Sequence, residues 1–208
     1  MTAIVCDVET TQGPGRIHVF GTGTRAVVVL GHGAGGGINA PDLSAIAAEL
    51  PADGFTVVLV EQPWRVAGKR IAGRPPTLDA AWIPLVGAAL KVTSGGPLIV
   101  GGRSAGARVA CRTAAEVGAH GVLALSFPLH PPGKPNSSRA AELQLPAMTG
   151  IPVRVIQGTT DPFGTPGEVG AELAQAAYVT AVGGAHSFSR NPIDVVAAAR
   201  VILAELAG

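Results

Sequence analysis

Aromatic and charged residues are both scarce in this chain of 208 residues. It has one tyrosine, two tryptophans and five phenylalanines, and charged residues make up only 14%. The net charge is +1, and the basic residues are scattered without forming a run. A nucleic-acid binder needs a basic footprint and usually stacking aromatics, so that class is excluded. Cysteine is also scarce. Cys6 and Cys111 each lie in an apolar segment and read as free buried thiols of a reducing cytoplasm, not as a disulfide framework. No Cys, His or Asp cluster has metal-ligand spacing, so neither metal nor cofactor is expected. No apolar run reaches the ~18 residues of a membrane span. Met1 to Asp7 lacks the charged and apolar regions of a signal peptide. These absences predict a cytoplasmic protein with no membrane or nucleic-acid partner, and they say nothing of its oligomeric state.

Apolar residues, at 47%, and glycine, at 29 copies, dominate what is there. The length suits one domain, residues 1–208, with a proper core. Thr2 to Val8 and Arg16 to Phe20 read as an antiparallel pair. Strands are expected at Ala26 to Leu30, Phe55 to Val60, Pro97 to Gly101, Val122 to Ser126, Val153 to Ile156 and Tyr178 to Val182. Helices are expected at Pro41 to Leu50, Thr77 to Val92, Ala107 to Val117, Pro166 to Ala177 and Pro192 to Ala207, with an irregular stretch running through Arg74-Pro75-Pro76. Alternation of this kind predicts an α/β fold: a mostly parallel sheet with helices on both faces, and loops of chemical interest at the carboxyl ends of the strands.

The most informative segment is Gly102-Arg103-Ser104-Ala105-Gly106. It follows a strand-like run and leads into a helix-like one, the setting in which G-x-S-x-G forms a nucleophile elbow. The turn is so tight that small residues are needed on both sides of the serine.

Three further segments sit where the same chemistry needs them. Gly31-His32-Gly33-Ala34-Gly35-Gly36-Gly37 follows an apolar strand and resembles an oxyanion loop, whose donors would be the amides of Ala34 and Ala105. Its alternative reading is a phosphate loop, since Gly31, Gly33 and Gly36 fit a dinucleotide fingerprint. Against that, the next helix starts late, at Pro41, and the only acidic residue ending the next strand is Glu61. Asp161, in Gly158-Thr-Thr-Asp-Pro162, lies on a polar turn after a late strand, where a triad acid belongs; its alternative is an Asx-turn or helix cap. His186, in Gly183-Gly-Ala-His, completes the chain order serine, acid, histidine. His130 is the rival base, because it follows the strand after the elbow. His18 and His120 are placed away from the catalytic loops, and His32 is expected to order the loop backbone. Gly33, Gly35, Arg103 and His130 are the candidate pocket residues.

Five stretches carry a family likeness: Gly31 to Gly35, Gly73-Arg-Pro-Pro76, Gly101 to Arg108, Phe127-Pro-Leu-His-Pro-Pro-Gly-Lys-Pro135 and Gly158 to Gly164. In these the chain resembles the small α/β hydrolases related to dienelactone hydrolases, and within them the testis-expressed-protein-30-like hydrolases. The resemblance implies the hydrolase fold and a triad carried by Ser104, Asp161 and His186. Dienelactone hydrolases proper use cysteine where Ser104 stands, so their substrate does not transfer. The related group has a larger residue and a glycine around the elbow, where this chain has Ala105 and Ala107, a change expected to widen the pocket.

The expected activity is hydrolysis of a small or short-chain acyl ester or thioester, a small-molecule substrate, through an acyl-enzyme. The competing expectation is a non-catalytic binding or scaffold protein on the same fold. Between Phe127 and Pro152 only a proline-rich loop and a short amphipathic turn near Arg139 to Leu145 are expected. That is too little chain for a lid, so the cap should be minimal and the site open.

Overall fold

The computed structural model describes residues 3–175 and 178–208. Its eight strands are β1 (Ile4–Val8), β2 (Gly15–Phe20), β3 (Ala26–Gly31), β4 (Phe55–Glu61), β5 (Leu98–Arg103), β6 (Gly121–Leu125), β7 (Val153–Gly158) and β8 (Val179–Val182). They form one sheet in the order β1-β2-β4-β3-β5-β6-β7-β8. The pairs β1–β2 and β2–β4 are antiparallel, and every pair from β4 through β8 is parallel.

The helices are α1 (Pro41–Glu49), α2 (Pro63–Val66), α3 (Pro75–Val92), α4 (Ala105–Thr113), α5 (Ala140–Met148), α6 (Pro166–Ala171) and α7 (Pro192–Ala207). Both faces of the central strands are covered, which is why β3, β5 and β6 read as continuous apolar runs and not as alternating ones. The period of two still decides which face each residue serves. Val27, Val29, Val58 and Val100 pack with Leu78, Trp82 and Leu85 of α3 and Val109 of α4. Val28, Leu30, Val57 and Ile99 pack with Leu43 and Ile46 of α1 and Val195, Ala199 and Leu203 of α7. Among the described residues no helix is long and apolar enough to cross a membrane.

Several expected boundaries move, each for a local reason. Pro75 and Pro76 do not precede α3 but occupy its first turn, where a missing N–H is no loss. The stretch read as irregular contains the short helix α2, which also opens on proline, Pro63. Helix α4 starts at Ala105, immediately after the serine, and ends at Thr113. The turn expected near Arg139 to Leu145 is the nine-residue helix α5, with Leu143 and Pro146 buried. Helix α6 ends at Ala171, and the expected extension to Ala177 runs to a position outside the described residues, as does the Thr2 start of the first strand.

The order β4-β3-β5 makes a topological switch. The chain leaves β3 toward one side of the sheet and returns through β5 on the other, so the loops after β3 and β5 open side by side. They touch through bare backbone. A Cβ added at Gly102 or at Gly106 would lie 2.3 Å from the Gly31 carbonyl oxygen. Gly102 also has φ +144, which L side chains rarely adopt. A Cβ at Gly35, by contrast, would meet nothing within 4 Å. Gly102→Ala and Gly106→Ala are therefore expected to destabilise by roughly 2 kcal/mol or more, a fall of about 4 to 8 °C in Tm. Gly35→Ala should melt within about 1 °C of the parent. Equal melting temperatures for all three variants in a thermal scan would contradict this packing account.

Candidate active site

Ser104 caps α4 directly after β5, with φ 53 and ψ −108. This is a strained conformation for a residue with a side chain, held by the backbone bonds Ser104 N–H to Leu125 O (2.9 Å) and Arg108 N–H to Ser104 O (3.2 Å). The strain lifts Oγ out of the backbone toward the loops of neighbouring strands. Its partner there is His186, whose Nε2 lies 2.9 Å from Ser104 Oγ. His186 Nδ1 lies 2.8 Å from Asp161 Oδ2. The carboxylate can only accept, so Nδ1 carries the hydrogen and Nε2 is left to accept from the serine hydroxyl. Phe163 packs against the imidazole with ring centroids 4.3 Å apart.

Asp161 is buried, and its second oxygen accepts from the Phe163 amide at 2.9 Å. The Asx-type turn and the histidine contact therefore coexist in one carboxylate. Gln157, fully buried at the end of β7, supports the group. Its Nε2 lies within bonding reach of Asp161 Oδ2 (3.1 Å), Gly164 O (2.7 Å) and Phe127 O (3.2 Å), while Oε1 accepts from Phe127 N–H at 2.9 Å. Sequence reasoning passed over Gln157. The available signal was an amide directly after the apolar pair Val155-Ile156, just before the turn that bears the acid.

Arg103, expected at the rim of the pocket, does more than line it. Its Nη2 donates to His186 O at 2.7 Å, and its Nε lies 3.2 Å from Asp42 Oδ2. Asp42 is fully buried, and the charge that faces it is the Arg103 guanidinium. Burial pushes the Asp42 carboxyl above its ordinary value, and the Arg103 charge pulls it back. The arginine beside Ser104 thus ties α1 to the histidine loop. Asp42 was also missed, because an acid in the first turn of a helix is an ordinary dipole partner.

The loop after β3 is shaped by His32, which is buried and edge-on to Trp64. His32 Nδ1 bonds Gly33 O (3.0 Å), and Nε2 accepts from Gln62 N–H (3.2 Å). Accepting at Nε2 requires the neutral ring, and burial pushes its pKa down, in the same direction. This loop and the elbow border a cavity of about 460 Å³, lined among others by Gly33, Ala34, Gly35, Ser104, Ala105 and His186. A Cβ at Gly33 would stand 3.5 Å from Ser104 Cβ, so the loop comes into van der Waals range of the serine. A second space of about 10 Å³ lies beyond Ala34 and Ala105, walled by Trp64, Trp82 and Val109.

His130 takes a different place from the one expected. Its ring bonds Pro131 O at 3.0 Å and lies 3.7 Å from Glu168 Oε1, and it is not among the residues lining the cavity. The bend at Phe127 to Leu129 turns it toward α6. His18 lies 3.6 Å from Glu61, and His120 accepts from Leu98 N–H at the amino end of β5.

The Arg103–Asp42 pair makes a thermodynamic prediction. Arg103→Gln strands a buried carboxylate and should cost about 3 kcal/mol. The double variant with Asp42→Asn should recover part of that loss. A carboxyl raised in the folded state binds its proton more tightly folded than unfolded, so the single variant should gain stability relative to the parent as pH falls. Denaturant titrations of the three proteins at neutral and acidic pH check both effects. A double variant no more stable than the single one would remove the ion pair from the account.

Comparison with known proteins agrees with this architecture. Residues 24–202 match the family model described as an alpha/beta hydrolase domain. No curated protein matches the sequence. Among solved structures, the chain is similar to an a/b serine hydrolase without lid from Xanthomonas campestris, at 19% identity and TM-score 0.71, covering 99% of this chain and 94% of that one. It is similar to an alpha-beta serine hydrolase homologue from Coxiella burnetii, at 16% identity and TM-score 0.76, covering 99% and 97%. It is also similar to Est1E from Butyrivibrio proteoclasticus, at 13% identity and TM-score 0.74, covering 99% of both chains. At such identities the structural likeness is one of fold, whereas the family match spans most of the sequence. The chain belongs to the alpha/beta hydrolase domain family.

Proposed function

We propose that this protein is a serine hydrolase acting on small acyl esters or thioesters through a covalent acyl-enzyme. The observation that carries the reading is the continuous chain Ser104 Oγ, His186, Asp161, with contacts of 2.9 and 2.8 Å, on a strained elbow that opens into a cavity. In the first step Ser104 Oγ attacks the acyl carbon and His186 Nε2 takes the hydroxyl proton. The carbonyl electron pair moves onto oxygen. When that pair returns, the bond to the leaving group breaks, and His186 gives the leaving group its proton. Water then repeats the sequence and frees the acid. Asp161 keeps the imidazole tautomer and stabilises the imidazolium.

The oxyanion is assigned to the amides of Ala34 and Ala105. Ala105 is the first residue of α4, where amides lack intrahelical acceptors, and Ser104 makes no side-chain cap. Each such donor contributes about 3 kcal/mol to lowering the barrier. Substrate size is read from the two spaces. The space beyond the two alanines, about 10 Å³, admits no more than about one water-sized group, which limits the acyl end that could enter it. The segment between β6 and β7 supplies only α5 as regular structure, whose two buried side chains cannot form the core of a lid.

Ser104→Ala is expected to reduce ester hydrolysis by roughly 10³-fold or more while keeping the melting temperature. It should also abolish labelling by a fluorophosphonate probe. His186→Ala should lose activity to a similar extent, and His130→Ala should retain most of it. A protonated imidazole cannot accept the serine proton, so the parent rate should fall on acidification. Retained activity in Ser104→Ala, or loss in His130→Ala with retention in His186→Ala, would overturn the assignment.

Chain length gives an independent check. Across p-nitrophenyl esters from acetate to palmitate, kcat/KM should peak at the shortest acyl groups, with no jump when substrate forms an interface. An optimum at long chains would mean that apolar area absent from this site is recruited from elsewhere, at about 25 cal/mol per Å².

A further inference from the structure

Three guanidinium groups, those of Arg103, Arg108 and Arg139, line the cavity that contains Ser104. Two of them are already matched. Arg103 faces the buried Asp42. Arg108 binds Glu142 through two contacts, 2.8 Å from Nε and 2.6 Å from Nη2. Behind it, Arg112 reaches the same Glu142 at 2.7 Å and holds Asp79 at 2.6 and 2.8 Å. Against the upward push of burial, the Arg108 and Arg112 contacts hold the Glu142 carboxyl below its ordinary value, so its charge is committed to them. Asp161 is committed to His186.

Arg139 is the exception. Among the described residues no ion pair within 4.0 Å includes it. Its one side-chain hydrogen bond among the described residues runs from Nη1 to Pro128 O, at 2.8 Å. Its own amide donates to Leu129 O at 2.7 Å. The residue is therefore pinned at backbone and side chain to the segment forming one wall, and the rest of its guanidinium fork is left for something else. It is half-buried, not a solvated surface arginine. Burial, with Arg108 as a like-charged neighbour, lowers its pKa, and the nearby Glu142 carboxylate opposes that shift without reversing it. A fixed, partly desolvated guanidinium matches a planar carboxylate in two parallel bonds, and little freedom is lost when they form.

Resting on the serine-hydrolase reading above, we propose that the cavity selects acyl substrates bearing a carboxylate, which Arg139 holds while the acyl carbonyl meets Ser104. A cavity of about 460 Å³ accommodates a half-ester of a short dicarboxylic acid. Arg139 contributes recognition only, and the bond changes stay with Ser104, His186 and the substrate, as above.

The test compares monomethyl glutarate with methyl pentanoate, a neutral ester of similar length, by titration of released acid. The parent should show kcat/KM at least about tenfold higher for the anionic ester, the scale of one charge-assisted hydrogen bond. In Arg139→Gln the ratio of the two should fall towards one. Arg139→Lys should keep an intermediate ratio, because it retains charge without the fork. A second arm measures calorimetric binding of monomethyl glutarate to Ser104→Ala, with and without Arg139→Gln. Equal parental efficiency on both esters, or an unchanged ratio in Arg139→Gln, overturns the carboxylate proposal and leaves the hydrolase reading intact. If the parent cleaves neither ester, yet Ser104→Ala binds monomethyl glutarate and the double variant does not, hydrolysis falls and the carboxylate site stands. Absence of both cleavage and binding overturns both.

Discussion

One close approach governs the architecture of the site: the end of β3 lies against the elbow through backbone alone. The Gly31 carbonyl occupies the space that a side chain on Gly102 or Gly106 would need. Gly101 is squeezed on the other side, where a Cβ would come within 2.1 Å of Leu123 O. Three strands are thus drawn together at the switch point, and the serine between them has one place to go. Its positive φ follows from that confinement. Side-chain chemistry enters only after this backbone constraint has brought the β3 loop and the head of α4 to the same cavity.

Around that fixed point the polar groups divide the labour of holding the loops. Gln157 ties the acid turn to the backbone after β6. Arg103 ties the histidine loop to the elbow and, through Asp42, to α1. His32 ties the β3 loop to the end of β4. Each tether joins loops from different strands, so the arrangement depends on the closed sheet and not on any one segment. Burial makes these contacts demanding, because a stranded partner has no water to turn to.

What could be read in advance follows from this division. The apolar runs of β3, β5 and β6 were legible because both faces are covered, and the glycine-flanked serine was legible because tight backbone needs small neighbours. The helix starts at Pro75 and Ala105 were placed late. Proline looks like a breaker until its position in the first turn is known, and the elbow passes into helix without a spacer. Gln157 left only a faint signal and Asp42 none, because their meaning lies in partners far along the chain, Phe127 and Arg103. His130 was drawn toward the site by its position after β6, but the turn at Phe127 to Leu129 sends its ring to α6.

Cys111 gives the elbow helix an internal clock. It is buried within α4, and burial pushes its thiol up to about 12. The thiolate, which is the reactive form, is therefore almost absent while the helix is docked. Cys6, in β1, is only partly covered. The two sulfurs thus react on separate timescales with an alkylating reagent, the first at the pace of its own exposure and the second at the pace at which α4 leaves the sheet. The helix that carries the serine reports its own departures through one native thiol, without any label being introduced.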